Sequence, residues 1–404
     1  MTSRRAFFQS IFAASALPAA GAEGERYWEM VRRQFPFSES RVPLNAGNLC
    51  PSPRVVSERV EALTQNIDHD VSYTNRAKFA GLLEDSRARV AEHLRAQPEE
   101  IALVRNTSEA NSTVITGLDL GAGDEVVLWS ENHPTNNVAW DVQAKRLGFD
   151  VRRVDTPKPL GREALARVFT DALGARTRVL ALSHLSNYSG VLLPVATIAA
   201  LARERGIFVL IDGAQTWGAL DVDVSALGCD AYTASAHKWL CGPKEAGVLF
   251  VRRDRINAIR AHTVAFGWSD EHASGEKGAR KFETLGQRDD PCLASIALAV
   301  DFHLAIGRAR IENRVRELAS ALKEGLHEAG LPLLTPRESE LSGGVCTVEV
   351  PREKRRALVF ELDARGVAGS PAGGLRLCPH IYNTKAHIER TVEAVASLSS
   401  MIRA

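Results

Sequence analysis

The sequence predicts an α/β protein in which a large domain is built on a mostly parallel sheet and a smaller C-terminal domain is α+β. Three observations predict it. Short apolar runs such as Phe208-Val209-Leu210-Ile211 stop on polar residues and glycine, here Asp212-Gly213-Ala214-Gln215, as buried parallel strands do where their carboxyl ends open into a crevice. These runs alternate with helical stretches, the rhythm of right-handed β-α-β units with both sheet faces covered. The chain has 404 residues, 45% hydrophobic and 25% charged, which is enough for one large and one smaller domain.

Composition excludes several function classes. Fifty basic and forty-nine acidic residues leave a net charge of +1, so there is no electrostatic footprint for nucleic acid or an anionic membrane. Six cysteines (Cys50, Cys229, Cys241, Cys292, Cys346, Cys378) lack C-x-x-C spacing, which speaks against a metal site and gives no disulfide framework. Residues 1–22 read as a signal peptide: Ser3-Arg4-Arg5-Ala6-Phe7-Phe8, a mostly apolar stretch, then Ala20-Gly21-Ala22. The paired Arg4 and Arg5 resemble the twin-arginine type, so export to the periplasm or medium is expected, with a cytoplasmic location as the alternative.

In order, residues 23–41 are charged and aromatic and predict a helix that wraps the body. The turn-rich Val42-Pro43-Leu44-Asn45-Ala46-Gly47-Asn48 opens a large domain over residues 42–291. Helical periodicity covers Pro53 to about Gln65 and Arg76 to about Ala96. The strand Ile101–Val104 then runs into Thr107-Ser108 at a helix start, where unpaired N–H groups and the dipole converge. Strands follow at 125–129, 150–155 and 179–182, with helices from Gly161 to Leu173 and from Val195 to Gly206. Next come the Asp212 strand, a strand 231–234 ending in Ser235-Ala236-His237-Lys238-Trp239, and 247–251, expected to be antiparallel. Residues 254–281 read as an irregular loop able to cover a site. A small domain over residues 292–404 holds a long helical region, a strand at 344–350, a helix from Arg355 to Ala364 and a closing helix from Lys385.

A carboxylate and a lysine delivered to one crevice suit pyridoxal 5'-phosphate (PLP) chemistry. The lysine forms a Schiff base with the cofactor aldehyde, and the carboxylate keeps the pyridine nitrogen protonated. Those roles fall to Lys238 and Asp212; taken alone, each is more often a surface lysine and a helix-capping aspartate.

The stretches D-G-A-Q at 212–215, S-A-H-K-W at 235–239 and R-L-C-P-H-I-Y-N-T at 376–384, in that order, resemble the class V aminotransferase family of fold type I PLP enzymes. That family includes isopenicillin N epimerase-like proteins, cysteine desulfurases and C-S lyases. The resemblance, from about Val42 onward, implies Thr107, Ser108, Ser235 and His237 as phosphate ligands and His133 as a ring stacked on the pyridine. It implies Asn187 and Gln215 beside the phenolic oxygen, and Arg376 as the fork that grips a substrate α-carboxylate. Asn45 and Asn48 are candidate substrate contacts, with turn asparagines as the bland reading. Relatives carry a threonine after the glycine of the segment matching Phe282–Arg288, reaching the neighbouring subunit's phosphate. Here that position is Gln287, which puts the cross-subunit contact in question, and a homodimer is expected from the family alone.

The resemblance implies an enzyme acting at Cα of an amino carboxylate, aminotransferase-like or epimerase-like, with a C-S lyase as the alternative and a non-catalytic ligand-binding protein as the non-enzyme reading. Cysteine desulfurase is disfavoured because the interval from Gly366 to Gly374 has no cysteine before Arg376.

Overall fold

The computed structural model describes residues 22–402. The expected signal peptide, with Arg4 and Arg5, lies outside the described residues up to residue 21. The elements begin with α1 (Ala22–Arg32), β1 (Val42–Pro43), α2 (Arg54–His69), α3 (Lys78–Leu94), β2 (Ile101–Val104), α4 (Thr107–Gly117), β3 (Glu125–Trp129) and α5 (Pro134–Leu147). They continue with β4 (Asp150–Val154), α6 (Arg162–Ala172), β5 (Thr177–Ser183), α7 (Val195–Glu204), β6 (Phe208–Asp212), β7 (Ala231–Ser235) and β8 (Gly247–Val251). The C-terminal part adds α8 (Asp290–Ile306), α9 (Arg308–Glu328), β9 (Cys346–Val348), α10 (Arg355–Ala364), β10 (Val367–Ala368), β11 (Leu375–Leu377) and α11 (Lys385–Ser397).

The central sheet has seven strands in the order β2-β8-β7-β6-β5-β3-β4. Strands β7, β6, β5, β3 and β4 run parallel, and β8 is antiparallel to both β7 and β2, as its sequence position suggests. Strands β6, β7 and β8 are buried along their whole length because helices cover both faces. One face packs on α3, α6, α7 and α8, the other on α4 and α5. The covering helices carry the stripe this needs: Val195, Ile198, Ala199 and Ala202 on α7, and Leu165, Phe169 and Ala172 on α6, are buried at helical spacing. Helix α8 is apolar nearly all round because it lies in the core, and among the described residues no single helix is long and apolar enough to cross a membrane.

The domain boundary falls elsewhere than the sequence suggests. Helix α8 joins the core of the large domain, whereas α9 packs against α11 in a separate core with β9 and β11. The two helices meet at Gly307, whose φ of 98° lets the chain turn by 78° between them. Residues 42–44, expected to open the large domain, belong to the small one: Val42 and Pro43 pair with Val367 and Ala368, and Val42 and Leu44 lie in its core. A two-residue strand whose partner is near the other end of the chain leaves no local pattern to read. The loop 254–281 forms three short helical turns that pack on α4 and along β2, with the Arg260 N–H on Gly117 O at 2.8 Å.

Strand β2 is the sheet's edge, and buried charge closes it. The Leu103 N–H donates to Glu283 Oε1 at 2.7 Å, Arg87 donates to Ile101 O at 2.6 Å, and Arg288 donates to Leu103 O at 2.6 Å. Both arginines also pair with the Glu283 carboxylate. Every outward group they occupy is one fewer for another strand to add to. Burial alone would raise the Glu283 carboxyl, but Arg87 and Arg288 outweigh it and hold the group below its ordinary value. Glu283→Ala would leave Arg87 buried without this partner, and about 3–5 kcal/mol should be lost in denaturant unfolding. Because the folded value is depressed, Glu283 stabilises above the ordinary carboxylate range, and this contribution fades as pH falls through the folded value. The variant should therefore show a shallower acid-side loss than the parent.

Candidate active site

The carboxyl ends of β2, β3, β5, β6 and β7 open on one side of the sheet, where parallel α/β folds place their ligands. Asp212 ends β6 and is buried. Its Oδ2 accepts from Asn111 Nδ2 at 2.9 Å and its Oδ1 from the Ala214 N–H at 3.0 Å. Asn111 is fixed in turn by Thr233 Oγ1, which donates to Asn111 Oδ1 at 2.7 Å, so α4, β6 and β7 converge on one carboxylate. Both donors to Asp212 are neutral, and among the described residues no cation forms an ion pair with it. Gly213 permits the turn: a Cβ there would stand 1.9 Å from the Tyr232 ring. Sequence reasoning missed Asn111; the available signal was an asparagine four residues after Thr107 on an otherwise core-facing stripe of α4.

Lys238 follows β7 on a turn closed by the Cys241 N–H on Lys238 O at 2.9 Å and the Gly242 N–H on Ala236 O at 2.7 Å. Among the described residues its amine makes no hydrogen bond or ion pair. Burial pushes it below the ordinary lysine value of 10.5; Asp212 opposes this and Arg376 adds to it. His133 feels the same charges. Burial lowers it first, Lys238 and Arg376 lower it further and Asp212 opposes, so the imidazole is neutral at pH 7. Lys238 and His133 thus each lie within the fields of Asp212 and Arg376. His133 also caps α5, with Nδ1 2.8 Å from Thr135 Oγ1 and Pro134 in the first turn.

Next to Lys238, Ser235 meets Thr107 across β7 and α4. The Thr107 N–H donates to Ser235 Oγ at 2.8 Å, and the two hydroxyl oxygens lie 2.6 Å apart. The cap of α4 is Asn106, whose side chain accepts from the Glu109 N–H, so Thr107 is free of the capping role. His237 sits beside them with Nδ1 3.0 Å from Lys244 O. Two hydroxyls at a helix N-terminus form the polar cradle that an anion needs. Ser108 points to solvent on the first turn of α4 and is not part of the Thr107–Ser235 pair.

Arg376, on β11, is buried, yet its charge is only partly engaged. Nη1 donates to Asn187 O at 3.0 Å, Nη2 reaches Asn45 Oδ1 at 3.5 Å, and Nε has no partner. Among the described residues no carboxylate pairs with it. Gly47 packs here at close range, since a Cβ would come within 3.1 Å of Gln215 Oε1 and 3.5 Å of the guanidinium carbon. Gln215 donates to Gly47 O at 2.8 Å and accepts from Trp239 Nε1 at 2.8 Å, which ties the chain after β6 to the entrance turn and the Lys238 turn. Asn48 is exposed in a turn closed on Asn45 O, in line with its bland reading. Gln287 is exposed and accepts from Arg76 at 2.9 Å; it shares no hydrogen bond with the other candidates in its own chain. A second residue missed from sequence is Glu131. Its carboxylate accepts from Ser186, Ser189 and Thr156 and braces the loop whose Asn187 carbonyl holds Arg376.

Residues 50–400 match the family described as aminotransferase class-V. The chain belongs to the class V aminotransferase family. It is 32% identical over 394 residues to an isopenicillin N epimerase of Amycolatopsis lactamdurans, covering 92% of this chain and 98% of that one. A probable cysteine desulfurase of Pyrococcus abyssi is 25% identical over 402 residues, covering 93% and 98%. Among solved structures, the cystine C-S lyase C-DES in complex with cysteine persulfide superposes with a TM-score of 0.82 at 26% identity, covering 90% of this chain and 99% of that one.

Class V enzymes depend on PLP, and the residues present fit it. A buried carboxylate with only neutral donors suits a protonated pyridine nitrogen, and an unpartnered amine with a lowered pKa suits an aldehyde. The Thr107–Ser235 hydroxyls suit a phosphate. Asn111→Leu keeps the branched outline of the side chain but removes one hydrogen bond to a buried charge, worth roughly 1.5–3 kcal/mol. PLP affinity, read by titrating the visible absorbance of the protein, should fall about 10- to 150-fold while far-ultraviolet circular dichroism stays unchanged.

Proposed function

We propose that this class V enzyme moves the Cα proton of an α-amino carboxylate, with epimerase-like turnover, through the amine of Lys238. The observation that carries the reading is a buried guanidinium with no carboxylate partner among the described residues, whose charge is felt by an amine with no hydrogen bond or ion pair among them. A buried unpaired charge is costly unless something binds it, and an α-carboxylate is the group a planar fork fits.

The chemistry that PLP supplies when bound is a sink for the electron pair left at Cα. The protein's share is positional. Arg376 grips the carboxylate and so fixes the direction of the Cα–H bond. Lys238, with its pKa lowered by burial, accepts that proton at Nζ, and epimerisation follows when Cα is reprotonated on its opposite face. Asp212, held by Asn111 and the Ala214 N–H, keeps its negative charge in place throughout. His133 stays neutral and offers a flat face without adding positive charge.

Epimerisation is favoured over transamination by the relative at 32% identity, an isopenicillin N epimerase. A second reading, β-elimination from a sulfur-bearing amino acid, is supported by the likeness to the cystine C-S lyase. Desulfurase chemistry is disfavoured by the turn between β10 and β11. Residues 369–374 are short and carry no cysteine, and Cys378 beyond them is buried with its thiol pushed up by burial. The reading extends to an exported homodimer. The leader supports export, since a twin-arginine route carries a protein already folded around its cofactor, and family membership supports the dimer.

In deuterated buffer the enzyme with PLP should exchange the Cα proton of its amino carboxylate substrates, followed by NMR across an amino-acid panel. Lys238→Ala should abolish exchange, and Arg376→Ala should lower kcat/KM by about 10- to 150-fold, the effect of a lost hydrogen bond to a charged group. Exchange that survives Lys238→Ala sinks the reading, and pyruvate released without exchange selects the lyase. For export, Arg4→Lys with Arg5→Lys should leave the protein in the cytoplasm; an unchanged periplasmic yield removes the twin-arginine assignment.

A further inference from the structure

The scattered cysteines, which in sequence speak against a metal site, are partly gathered by the fold. Cys50 ends the entrance turn before α2, Cys241 lies on the turn after Lys238, and His380 follows β11 and Arg376. All three are buried, and the two sulfurs and a ring nitrogen of His380 lie within 4.8 Å of one another. Tyr382 Oη joins them, 3.3 Å from Cys50 Sγ.

Apart from the contact between Cys50 and Tyr382, the partners these groups have are weak or incomplete. Cys50 Sγ lies 3.9 Å from Ala46 O and Cys241 Sγ lies 3.8 Å from Trp239 O, the long contacts of poor thiol donors. His380 Nε2 sits 2.6 Å from Trp239 O. A carbonyl only accepts, so Nε2 carries the proton and Nδ1 carries the lone pair. That Nδ1 is buried and has no hydrogen-bond partner. A histidine held by a backbone carbonyl through one nitrogen, with its other nitrogen without a partner among the described residues, has the outer support that metal-bound histidines have.

We propose that Cys50, Cys241 and His380 form a structural site for a thiophilic divalent ion of the zinc class, with Tyr382 next to the fourth position. Two sulfur ligands and one nitrogen select zinc over calcium or magnesium. Charge balances without other residues: a dipositive ion, two thiolates and a neutral imidazole sum to zero, as a dry interior requires. Binding releases one proton from each thiol to solvent and involves no change of oxidation state. The ion would tie together the segments that carry Asn45, Lys238 and Arg376. The Cys50 N–H already donates to His237 O at 2.8 Å, and Lys244 Nζ already donates to Cys50 O at 3.1 Å.

The test reads metal directly, so its failure leaves the catalytic reading untouched. Full-length protein with PLP, reduced, exposed to zinc and dialysed exhaustively, should retain about one zinc per chain by inductively coupled plasma mass spectrometry. C50A, C241A and H380Q should each lose most of it. In case these variants fold poorly, cobalt(II) loaded into the wild type should give a sulfur-to-cobalt charge-transfer band in the near ultraviolet. Wild type retaining no more zinc than the C50A/C241A variant, cobalt without that band, or Cys50 and Cys241 recovered as a disulfide from the folded enzyme would each overturn the proposal.

Discussion

Asp212 carries a negative charge into the interior at the end of a fully buried strand, and the site is arranged around keeping that charge. The hydrogen bonds from Asn111 and the Ala214 N–H offset its desolvation without neutralising it. Its field holds up the amine of Lys238, which burial otherwise depresses, and opposes the lowering of His133. Three elements must be in register for this. Strand β6 supplies the acid, β7 supplies Thr233 and leads to Lys238, and α4 supplies the amide that bridges them.

The small domain completes the site. Arg376 lies on β11 facing Thr347 of β9, and its guanidinium is aimed by the Asn187 carbonyl and by Asn45 from the strap that runs through β1. That strap leaves the N-terminal helix, pairs with β10, and returns to the large domain at Cys50. Gripping and reacting groups therefore sit on two cores that meet through Val345, Ile381 and Tyr382, so a small relative shift of one against the other would reset the geometry at Cα.

That sensitivity bears on how one family houses an epimerase, desulfurases and a C-S lyase. On the proposed reading, the acid, the amine and the hydroxyl pair would serve any reaction that begins by loading Cα with negative charge. What separates the outcomes is the next proton donor or leaving group, and that is set by loops such as the short turn between β10 and β11. Here it offers no thiol, and Cys378 beyond it is buried.

Most of the parallel sheet and its rhythm were legible in the chain, because a strand buried on both faces is an apolar run and a strand end is marked by the residues that follow it. The same locality marked Asp212 and Lys238 as candidates, and Thr107, Ser235 and Arg376 became candidates through the resemblance that those motifs carry. Asn111 was not readable, since its meaning comes from a partner 101 residues away. Nor were Glu131 under the Asn187 loop, Glu283 closing the β2 edge, the pairing of β1 with β10, or Cys50, Cys241 and His380 in one place. Sequence by itself determined the types of element and the reactive groups at their ends, because those depend on period and on neighbours along the chain. Tertiary structure alone decided which buried polar group satisfies which, because hydrogen bonds and charges act over a few ångströms of space and leave no trace of their partners in the spacing of residues.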